Sequence, residues 1–187
     1  MSQPASLADS VRLAWPTEAP AIAAVQRRGW GLLPAPLAES LLTEVDEPAM
    51  VQAWEQVVAR PADARQRVLV AIADNGRVVG FATTGPSTDT DAETGADGEV
   101  DQFWVDPPAQ RRGHGSRLLN ACADTLRADG FTHARCWVLT ADVVLRGFLA
   151  GAGWEPDGAT RTIGAEDGTV TIDQVRLHTS LAEDDAV

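Results

Sequence analysis

A strand–helix–strand pattern between residues 99 and 139 constrains the fold of this chain more than any other feature. Residues 99–105 (EVDQFWV) and 134–139 (ARCWVL) are typical of strands. The residues after Gly115 place their leucines on one helical face, and Gly130 marks the end of that helix. Because such a unit normally forms a parallel crossover, we expect the two strands to lie in one sheet with the helix packed on it.

The residues before this unit predict one strand, several helices and a hairpin. Residues 11–15 alternate as a half-buried strand does, and Thr17 is expected to cap a helix that fades near Gly29. A broken pair of helices follows, ending before Pro61. The runs within residues 67–84 predict a β-hairpin, in which Asn-Gly at 75–76 suits a type I′ turn.

Residues 85–98 (GPSTDTDAETGADG) are polar and acidic, which predicts a mobile, solvated loop; their spacing does not match an EF-hand. Two more strands are predicted around Thr160 and over residues 169–178, joined through Glu166-Asp167-Gly168. The 187 residues have the length of one domain. We expect a single α/β domain over residues 11–179, a mixed sheet with helices on both faces, and flexible tails at 1–10 and 180–187.

The composition excludes several kinds of chemistry and partner. All 15 basic residues are arginine and the chain has no tyrosine, so a Schiff-base lysine, a P-loop lysine and a phenolic acid are excluded. A formal net charge of -12 disfavours binding to nucleic acid or to an anionic membrane, and it favours a cationic small molecule. The start of the chain shows no signal segment, and no stretch is long and apolar enough to span a membrane, which predicts a cytoplasmic protein.

The cysteines, histidines and tryptophans suggest structural roles. Neither Cys122 nor Cys136 has a partner at metal-binding spacing, which favours reduced, buried thiols. The three histidines are scattered and predict no metal site, and His114 is expected to face solvent. Core positions are expected for Trp15, Trp54 and Trp137.

The segment QRRGHG, residues 110–115, lies between the first strand of the unit and its helix. Unpaired backbone N–H groups and the positive end of the helix favour an anion there, and glycines at 113 and 115 leave room for one. Neither a dinucleotide fingerprint nor a Walker A loop fits the residues. A phosphate cradle and an ordinary glycine-containing turn with solvated arginines both remain open on this evidence alone.

The longer segment VDPPAQRRGHGSRLL resembles the acetyl-CoA-binding motif of the GNAT superfamily of N-acetyltransferases, V-x-P-x-x-Q/R-x-x-G-x-G/A before a leucine-rich helix. The segments VRLAWPTEAPAIAAVQRRGW, VVGFATTGP and LRGFLAGAGW follow the family's order, so the resemblance covers residues 11 to 178. It implies a mostly antiparallel sheet in which one parallel strand pair splays apart to bind coenzyme A (CoA). It also suggests a homodimer formed through the last strands.

The resemblance assigns most of the site to the backbone. Amides from Arg111 to Ser116 would hold the diphosphate of CoA, and the backbone of Phe103, Trp104 and Val105 would pair with the pantetheine arm. An N–H near Trp104 would polarise the thioester carbonyl. The full set expected to bind the cofactor is Phe103, Trp104, Val105, Gln110, Arg111, Arg112, Gly113, His114, Gly115, Ser116, Asp142 and Phe148.

Glu99 matches the family position from which a glutamate removes the proton of the acceptor amine; a solvated strand-end carboxylate is the alternative interpretation. Asp101 lies two residues further on the same face and could help to attract a cation. Trp30, near the end of the first helix, could line the acceptor pocket, as residues there do in the family. The predicted acceptor is a primary amine of a small molecule or peptide.

Two positions depart from the family pattern. Leu149 stands where a tyrosine often protonates the departing CoA thiolate, and Asp142 stands where an asparagine often contacts CoA. A thiolate is a tolerable leaving group, so the loss of one general acid slows turnover without abolishing it. The leading hypothesis is therefore an acetyl-CoA-dependent N-acetyltransferase without a metal. The alternative is an acyl-CoA-binding sensor or regulatory module with weak or no activity.

Overall fold

A computed structural model describes residues 10–164 and 170–182 of the chain. Their helices and strands, in chain order, are β1 Ser10–Leu13, α1 Ala19–Trp30, α2 Ala35–Glu44, α3 Glu47–Ala59, β2 Arg67–Ile72, β3 Val78–Pro86, β4 Asp97–Val105, α4 His114–Ala128, β5 His133–Leu139, α5 Val143–Gly151, β6 Glu155–Gly164 and β7 Thr171–Ser180. Short 3-10 turns cover Pro16–Glu18 and Pro107–Ala109. The predicted turn at 166–168 and most of both predicted tails lie outside the described residues.

The seven strands form a sheet in the order β1-β2-β3-β4-β5-β7-β6. The pairs β1–β2, β2–β3, β5–β7 and β6–β7 are antiparallel, and β4 pairs with β5 in parallel. In the described chain, the parallel ladder consists of three pairs, the last of which joins Glu99 to Arg135, although β4 continues to Val105. The predicted mixed, mostly antiparallel sheet with one splayed parallel pair is confirmed.

The described chain folds as two compact units. The first unit comprises the residues up to Thr84 together with Gln102–Cys122, and the second comprises Gly85–Asp101 together with the residues from Ala123 onward. The core of the first unit lies between α1, α3 and the strands β2 and β3. Trp54 of α3 meets the ring of Phe81 edge to face at 5.0 Å, and its indole N–H donates to Oε1 of Gln26 at 2.9 Å. The prediction of a core position for Trp54 is therefore confirmed.

The beginning of the first unit differs from the sequence prediction in two ways. Trp15 is 58% exposed rather than buried, because β1 ends at Leu13 and the chain then turns into the 3-10 segment. The guanidinium of Arg12 lies 3.7 Å from the centre of the Trp15 ring, a cation–π contact at the surface. Thr17 lies inside the 3-10 turn and does not cap α1; Glu18 precedes that helix instead.

The β2–β3 hairpin forms as predicted, but its turn is not type I′. That turn requires positive φ at both central residues, whereas Gly76 has a φ of 78° and Asn75 is not among the described residues with positive φ. The N–H of Ala73 donates to the carbonyl of Arg77, which closes a three-residue loop. The Asn75 side chain accepts the N–H of Arg77, and this local bond favours the longer loop.

Helix α1 continues through Gly29 to Trp30, so the predicted helix end at the glycine is one residue early. The glycine is explained by packing, because a Cβ at position 29 would overlap Cε3 of Trp104. The flat indole of Trp104 thus lies directly on the helix backbone. Trp30 itself is 8% exposed and belongs to the core of the first unit.

Gly29→Ala is expected to destabilise the protein by up to about 2 kcal/mol, because overpacking costs about 1–3 kcal/mol and is offset by a gain in helix propensity of about 1 kcal/mol. Urea unfolding of the purified variants measures this difference. Gly147→Ala in α5 is the control, since a Cβ there would meet nothing within 4 Å and only the propensity gain remains. Equal stabilisation by both substitutions would show that the Trp104 ring yields without cost.

The second unit is built on the sheet formed by β4, β5, β7 and β6. Alternate residues of β5 are buried and face a set of apolar side chains from α4, α5 and the following loops. The buried residues of β5 are Ala134, Cys136 and Val138, and the apolar residues of the helices and loops are Leu126, Phe131, Leu149 and Trp154. The predicted free and buried state of both cysteines is confirmed, and burial raises the pKa of the Cys136 thiol to about 12. The opposite face of this sheet is polar and carries Glu99.

Candidate active site

The turn at residues 110–116 of the first unit has an unusual backbone conformation. Arg111 has a φ of 63° and Gly113 a φ of 84°, and α4 begins at His114 rather than after Gly115. The side chain of Gln110 donates to the carbonyl of Val105 at 3.2 Å, which ties the turn to the end of β4. A left-handed arginine is uncommon and costly, and such residues persist where the surrounding structure requires them.

The turn offers several backbone donors to a ligand. The backbone N–H of Arg117 donates to the carbonyl of Gly113 at 3.1 Å. By contrast, the backbone N–H groups of residues 111–116 make no hydrogen bond within the part of the chain that the structure describes. Arg111, Arg112 and Ser116 are exposed. Donor groups at a helix N-terminus beside arginines suit a diphosphate. The cradle is shaped by Gly113, since a Cβ there would lie 3.1 Å from Nη1 of Arg117.

His114 is 4% exposed, so the prediction that it faces solvent is wrong. The reason is that the helix starts at this residue and turns its side chain inward. Arg117 covers it, with Nη2 3.4 Å from Nδ1 of His114 and 3.3 Å from the carbonyl oxygen of Arg112. The Arg117 side chain therefore braces the turn from its helical side.

Asp106 anchors the chain at the start of the turn, and the sequence did not predict its contacts. It is 2% exposed and accepts two hydrogen bonds from Arg28 of α1, at 2.7 and 3.0 Å. Its N–H donates to the carbonyl of Val79 at 2.8 Å. These contacts fix the chain where β4 ends and the turn begins. An aspartate directly before two prolines was the available signal, but nothing in the sequence indicated Arg28 as its partner.

Gly113→Ala is expected to weaken CoA binding about tenfold. A β-carbon disfavours the left-handed conformation of residue 113 and so shifts the backbone N–H donors of the turn. Each hydrogen bond from such a donor to a charged group is worth about 1.5–3 kcal/mol. Isothermal titration calorimetry with CoA measures the change. Gly76→Ala is the control, because Gly76 also has a positive φ, 78°, and a Cβ there would meet nothing within 4 Å. Both variants should lose stability, but only Gly113→Ala should lose affinity; equal affinities would argue against the turn as the diphosphate site.

The remaining residues expected to bind CoA lie on two elements. Phe103, Trp104 and Val105 are half-buried on β4, and the Trp104 indole N–H donates to Oε1 of Gln102 at 2.8 Å. In the second unit, Asp142 is half-buried and caps α5 by accepting the N–H of Leu145 at 2.9 Å. This cap explains an acidic residue at position 142 without reference to a ligand. Phe148 of α5 is half-buried.

Glu99 lies on the polar face of the second unit and is 8% exposed. Its Oε2 accepts the N–H of Thr88 at 3.4 Å. Burial raises the pKa of the Glu99 carboxyl, and the charges of Asp101 and Asp89 raise it further, while the Thr88 bond and Arg161 act in the opposite direction. Asp101 is exposed. The site thus holds a carboxyl group whose proton affinity is higher than that of an ordinary glutamate.

An ion-pair network lies next to Glu99 on the same face. Arg176 of β7 is 6% exposed and contacts Asp89 at 2.9 Å, Asp91 at 2.7 Å and Asp157 at 2.6 Å. Arg135 of β5 contacts Asp97 at 2.7 Å. The side chain of Asp89 is 12% exposed, so the prediction of a solvated acidic loop at 85–98 is wrong for this residue. Arginines from distant strands bind these acids, and no local pattern indicated that pairing.

Trp137 faces this network rather than the apolar core, so its predicted core position is also wrong. Its indole N–H donates to both carboxylate oxygens of Asp89, at 3.0 and 3.2 Å. The guanidinium of Arg161 lies 4.2 Å from the centre of its ring. Residue 137 alternates with the buried residues of β5, which places it on the polar face.

Comparisons with known proteins agree with this fold. Residues 35–154 match the model of the acetyltransferase (GNAT) family, and the chain belongs to that family. The structure of yncA from Salmonella typhimurium with its cofactor acetyl-CoA is similar, with a TM-score of 0.70 and 21% identity, covering 96% of this chain and 97% of that one. An N-acetyltransferase from Staphylococcus aureus Mu50 has a TM-score of 0.72 and 18% identity, with coverage of 93% and 99%.

The PaiA N-acetyltransferase from Thermoplasma acidophilum, solved with coenzyme A, has a TM-score of 0.68 and 14% identity, covering 93% of this chain and 99% of that one. No curated protein matches the chain. The family predicted from the sequence is confirmed, and membership supports acetyl transfer from acetyl-CoA in general.

Two features are absent from residues 10–164 and 170–182. None of their helices combines the length and the apolar character needed to cross a membrane. They also contain no group of three or more histidine, cysteine, aspartate or glutamate residues arranged to hold a metal ion.

Proposed function

We propose that this chain transfers the acetyl group of acetyl-CoA to a primary amine of a small molecule or peptide, with Glu99 as the general base. The observation that carries the proposal is the buried Glu99 carboxyl, whose pKa is raised. A general base is most effective when its pKa lies near the working pH, and burial moves a glutamate in that direction.

The chain offers a suitable cradle for the cofactor. Backbone N–H groups at 111–116 would hold the diphosphate, and the open turn around Gly113 supports this assignment. Acetyl-CoA supplies an activated acyl group as a thioester. The turn and the backbone of β4 bind and orient it, which converts a bimolecular reaction into a positioned one.

Glu99 is needed because the acceptor must be neutral when it attacks. An amine with a pKa of about 10.4 is neutral in only about one molecule in a few thousand at pH 7. In the proposed step, the amine nitrogen attacks the carbonyl carbon and its proton passes to the Glu99 carboxylate, directly or through water. The carbon–sulfur bond breaks, and the thiolate of CoA takes a proton from water or substrate, because Leu149 is buried and has no proton to give.

A thiol-release assay tests this function. Protein and acetyl-CoA are mixed with a panel of primary amines while free thiol is followed, and acetylated product is identified by mass spectrometry. Amine-dependent release of one thiol for each acetylated amine supports the proposal. Tight CoA binding without release on any amine contradicts it.

The second candidate function is an acyl-CoA-binding sensor or regulatory module. The side chain of Leu149 supports it, since this residue is 1% exposed within the core of the second unit and cannot act as an acid. In that case CoA binding persists without turnover, and the result of the same assay separates the two functions.

A further inference from the structure

Arg161 of β6 is held rigidly on the polar face of the second unit. Its Nε donates to Oε1 of Gln174 at 2.7 Å, and its guanidinium carbon lies 4.2 Å from the centre of the Trp137 ring. Stacking on an aromatic ring and a bond at Nε together fix the plane of the guanidinium. The two terminal nitrogens remain as a fork of donors that suits a carboxylate.

Among the residues that the structure describes, Arg161 differs from Arg135 and Arg176 in having no carboxylate at salt-bridge distance. Arg135 and Arg176 are each paired with aspartates. By contrast, no carboxylate of residues 10–164 and 170–182 lies within 4.0 Å of the Arg161 guanidinium nitrogens, and its terminal nitrogens donate to no acceptor there. The chain has 27 acidic residues for 15 arginines, so an unpaired arginine held in one orientation requires an explanation.

The position of Arg161 relative to Glu99 explains why this arginine is held in place. Cross-strand partners project from the same face of a sheet, and Glu99 pairs with Arg135, two residues before Trp137 on β5. Arg161 pairs with Gln174, which in turn pairs with Leu139. The Arg161 guanidinium reaches back over Trp137 and is close enough to lower the pKa of Glu99. The face therefore presents a candidate base and a fixed cation together.

We propose that Arg161 binds a carboxylate of the acceptor, so that the substrate is an amino acid or a similar amine that carries an acidic group. The inference rests on the proposed acetylation and names the class of its acceptor. A substrate whose amine approaches Glu99 while its carboxylate meets Arg161 satisfies both groups. A polyamine would place a second positive charge near Arg161 and be repelled, although the net charge of the chain favours cations.

Pairs of amines that are matched in chain length test the proposal. Propylamine and 3-aminopropanoate, and pentylamine and 5-aminopentanoate, differ only in a terminal carboxylate. Initial rates with acetyl-CoA are measured for the wild type, for Arg161→Gln and for the control Arg60→Gln, which replaces an exposed arginine at the end of α3. Circular dichroism melts confirm that each variant is folded.

We expect the wild type to prefer the amino acid of each pair. Arg161→Gln should raise the KM for the amino acid about 10- to 100-fold, as expected for the loss of hydrogen bonds to a charged group, and leave the KM of the plain amine unchanged. Arg60→Gln should change neither. A merely structural role of Arg161 would alter both substrates alike, so equal changes overturn the proposal, as does a wild-type preference for plain amines or diamines.

A binding measurement that needs no turnover tests the carboxylate site separately from the proposed acetylation. The same compounds are added to wild type and Arg161→Gln, each saturated with CoA, and the melting temperatures are compared. If no amine is acetylated but the amino acids raise the melting temperature of the wild type alone, the carboxylate site stands and the proposed reaction fails. If neither amino acid shifts the wild type, or both shift the two proteins equally, Arg161 is not an acceptor site.

Discussion

Glu99→Gln is expected to lower kcat for amine acetylation by about 10²- to 10⁴-fold, the usual contribution of a general base, while leaving the dissociation constant of acetyl-CoA unchanged. Glutamine keeps the shape of the side chain and can still accept the N–H of Thr88, but it cannot take a proton. Steady-state rates by thiol release, and calorimetry with CoA, measure the two quantities. Glu155→Gln, an exposed change on β6, is the control.

The pH dependence gives the same prediction a second readout. Because the pKa of Glu99 is raised, the acid limb of the wild-type kcat/KM profile should lie above the ordinary pKa of glutamate, and it should be absent from the residual activity of Glu99→Gln. A variant that keeps its rate and its acid limb would remove Glu99 from the mechanism and favour a water molecule or the substrate as the base.

The raised pKa of Glu99 also predicts how the stability of Glu99→Gln differs from that of the wild type. A carboxyl with a raised pKa in the folded state is penalised when it ionises, so the wild type loses stability as pH rises above the pKa of the unfolded state, about 4.3. Glutamine carries no such penalty. The variant should therefore melt at a higher temperature than the wild type at pH 7, and this advantage should vanish below pH 4.

Local sequence signals were enough to predict the backbone elements that carry the candidate site. Proline, glycine and a leucine-patterned helix at 107–119 are properties of neighbouring residues, and they located the start of α4 to within two residues. The strand carrying Glu99 was equally visible, because apolar and β-branched residues precede the prolines. The splay of β4 from β5 came from the family resemblance, and neither strand on its own predicts it.

The contacts around Glu99 could not be predicted, because they join residues far apart in the chain. An acidic loop normally favours solvent, yet Asp89 meets Arg176, 87 residues away. A tryptophan in an apolar strand normally indicates a core, yet Trp137 lies on the polar face and stacks with Arg161. In both cases tertiary pairing decided the environment, and single-sequence patterns carry no information about it.

Arg176→Met is expected to cost about 3–5 kcal/mol of unfolding free energy, because removing one partner of a buried ion pair leaves the other charges unpaired. The side chains of Asp89 and Asp157, 12% and 19% exposed, would lose their contact with the arginine. Methionine fills a similar volume, so the loss is not that of a cavity. Urea unfolding at pH 7 measures the difference. Asp124→Asn is the control, since the pair of Asp124 with Arg127 is exposed and such pairs contribute about 1 kcal/mol or less.

The pH dependence of Arg176→Met tests the cause of that loss. In the wild type, Arg176 holds the pKa of Asp91 well below its usual range, so this contribution to stability is present above the ordinary aspartate pKa and declines as the solution is acidified. Without the arginine this decline should be absent, and the two proteins should approach each other in stability as the pH falls below the ordinary aspartate pKa of about 3.9. A variant as stable as the wild type at pH 7 would mean that the ion-pair network orders the loop beside Glu99 without stabilising the fold. In that case we expect Arg176→Met to change only the pH dependence of kcat/KM.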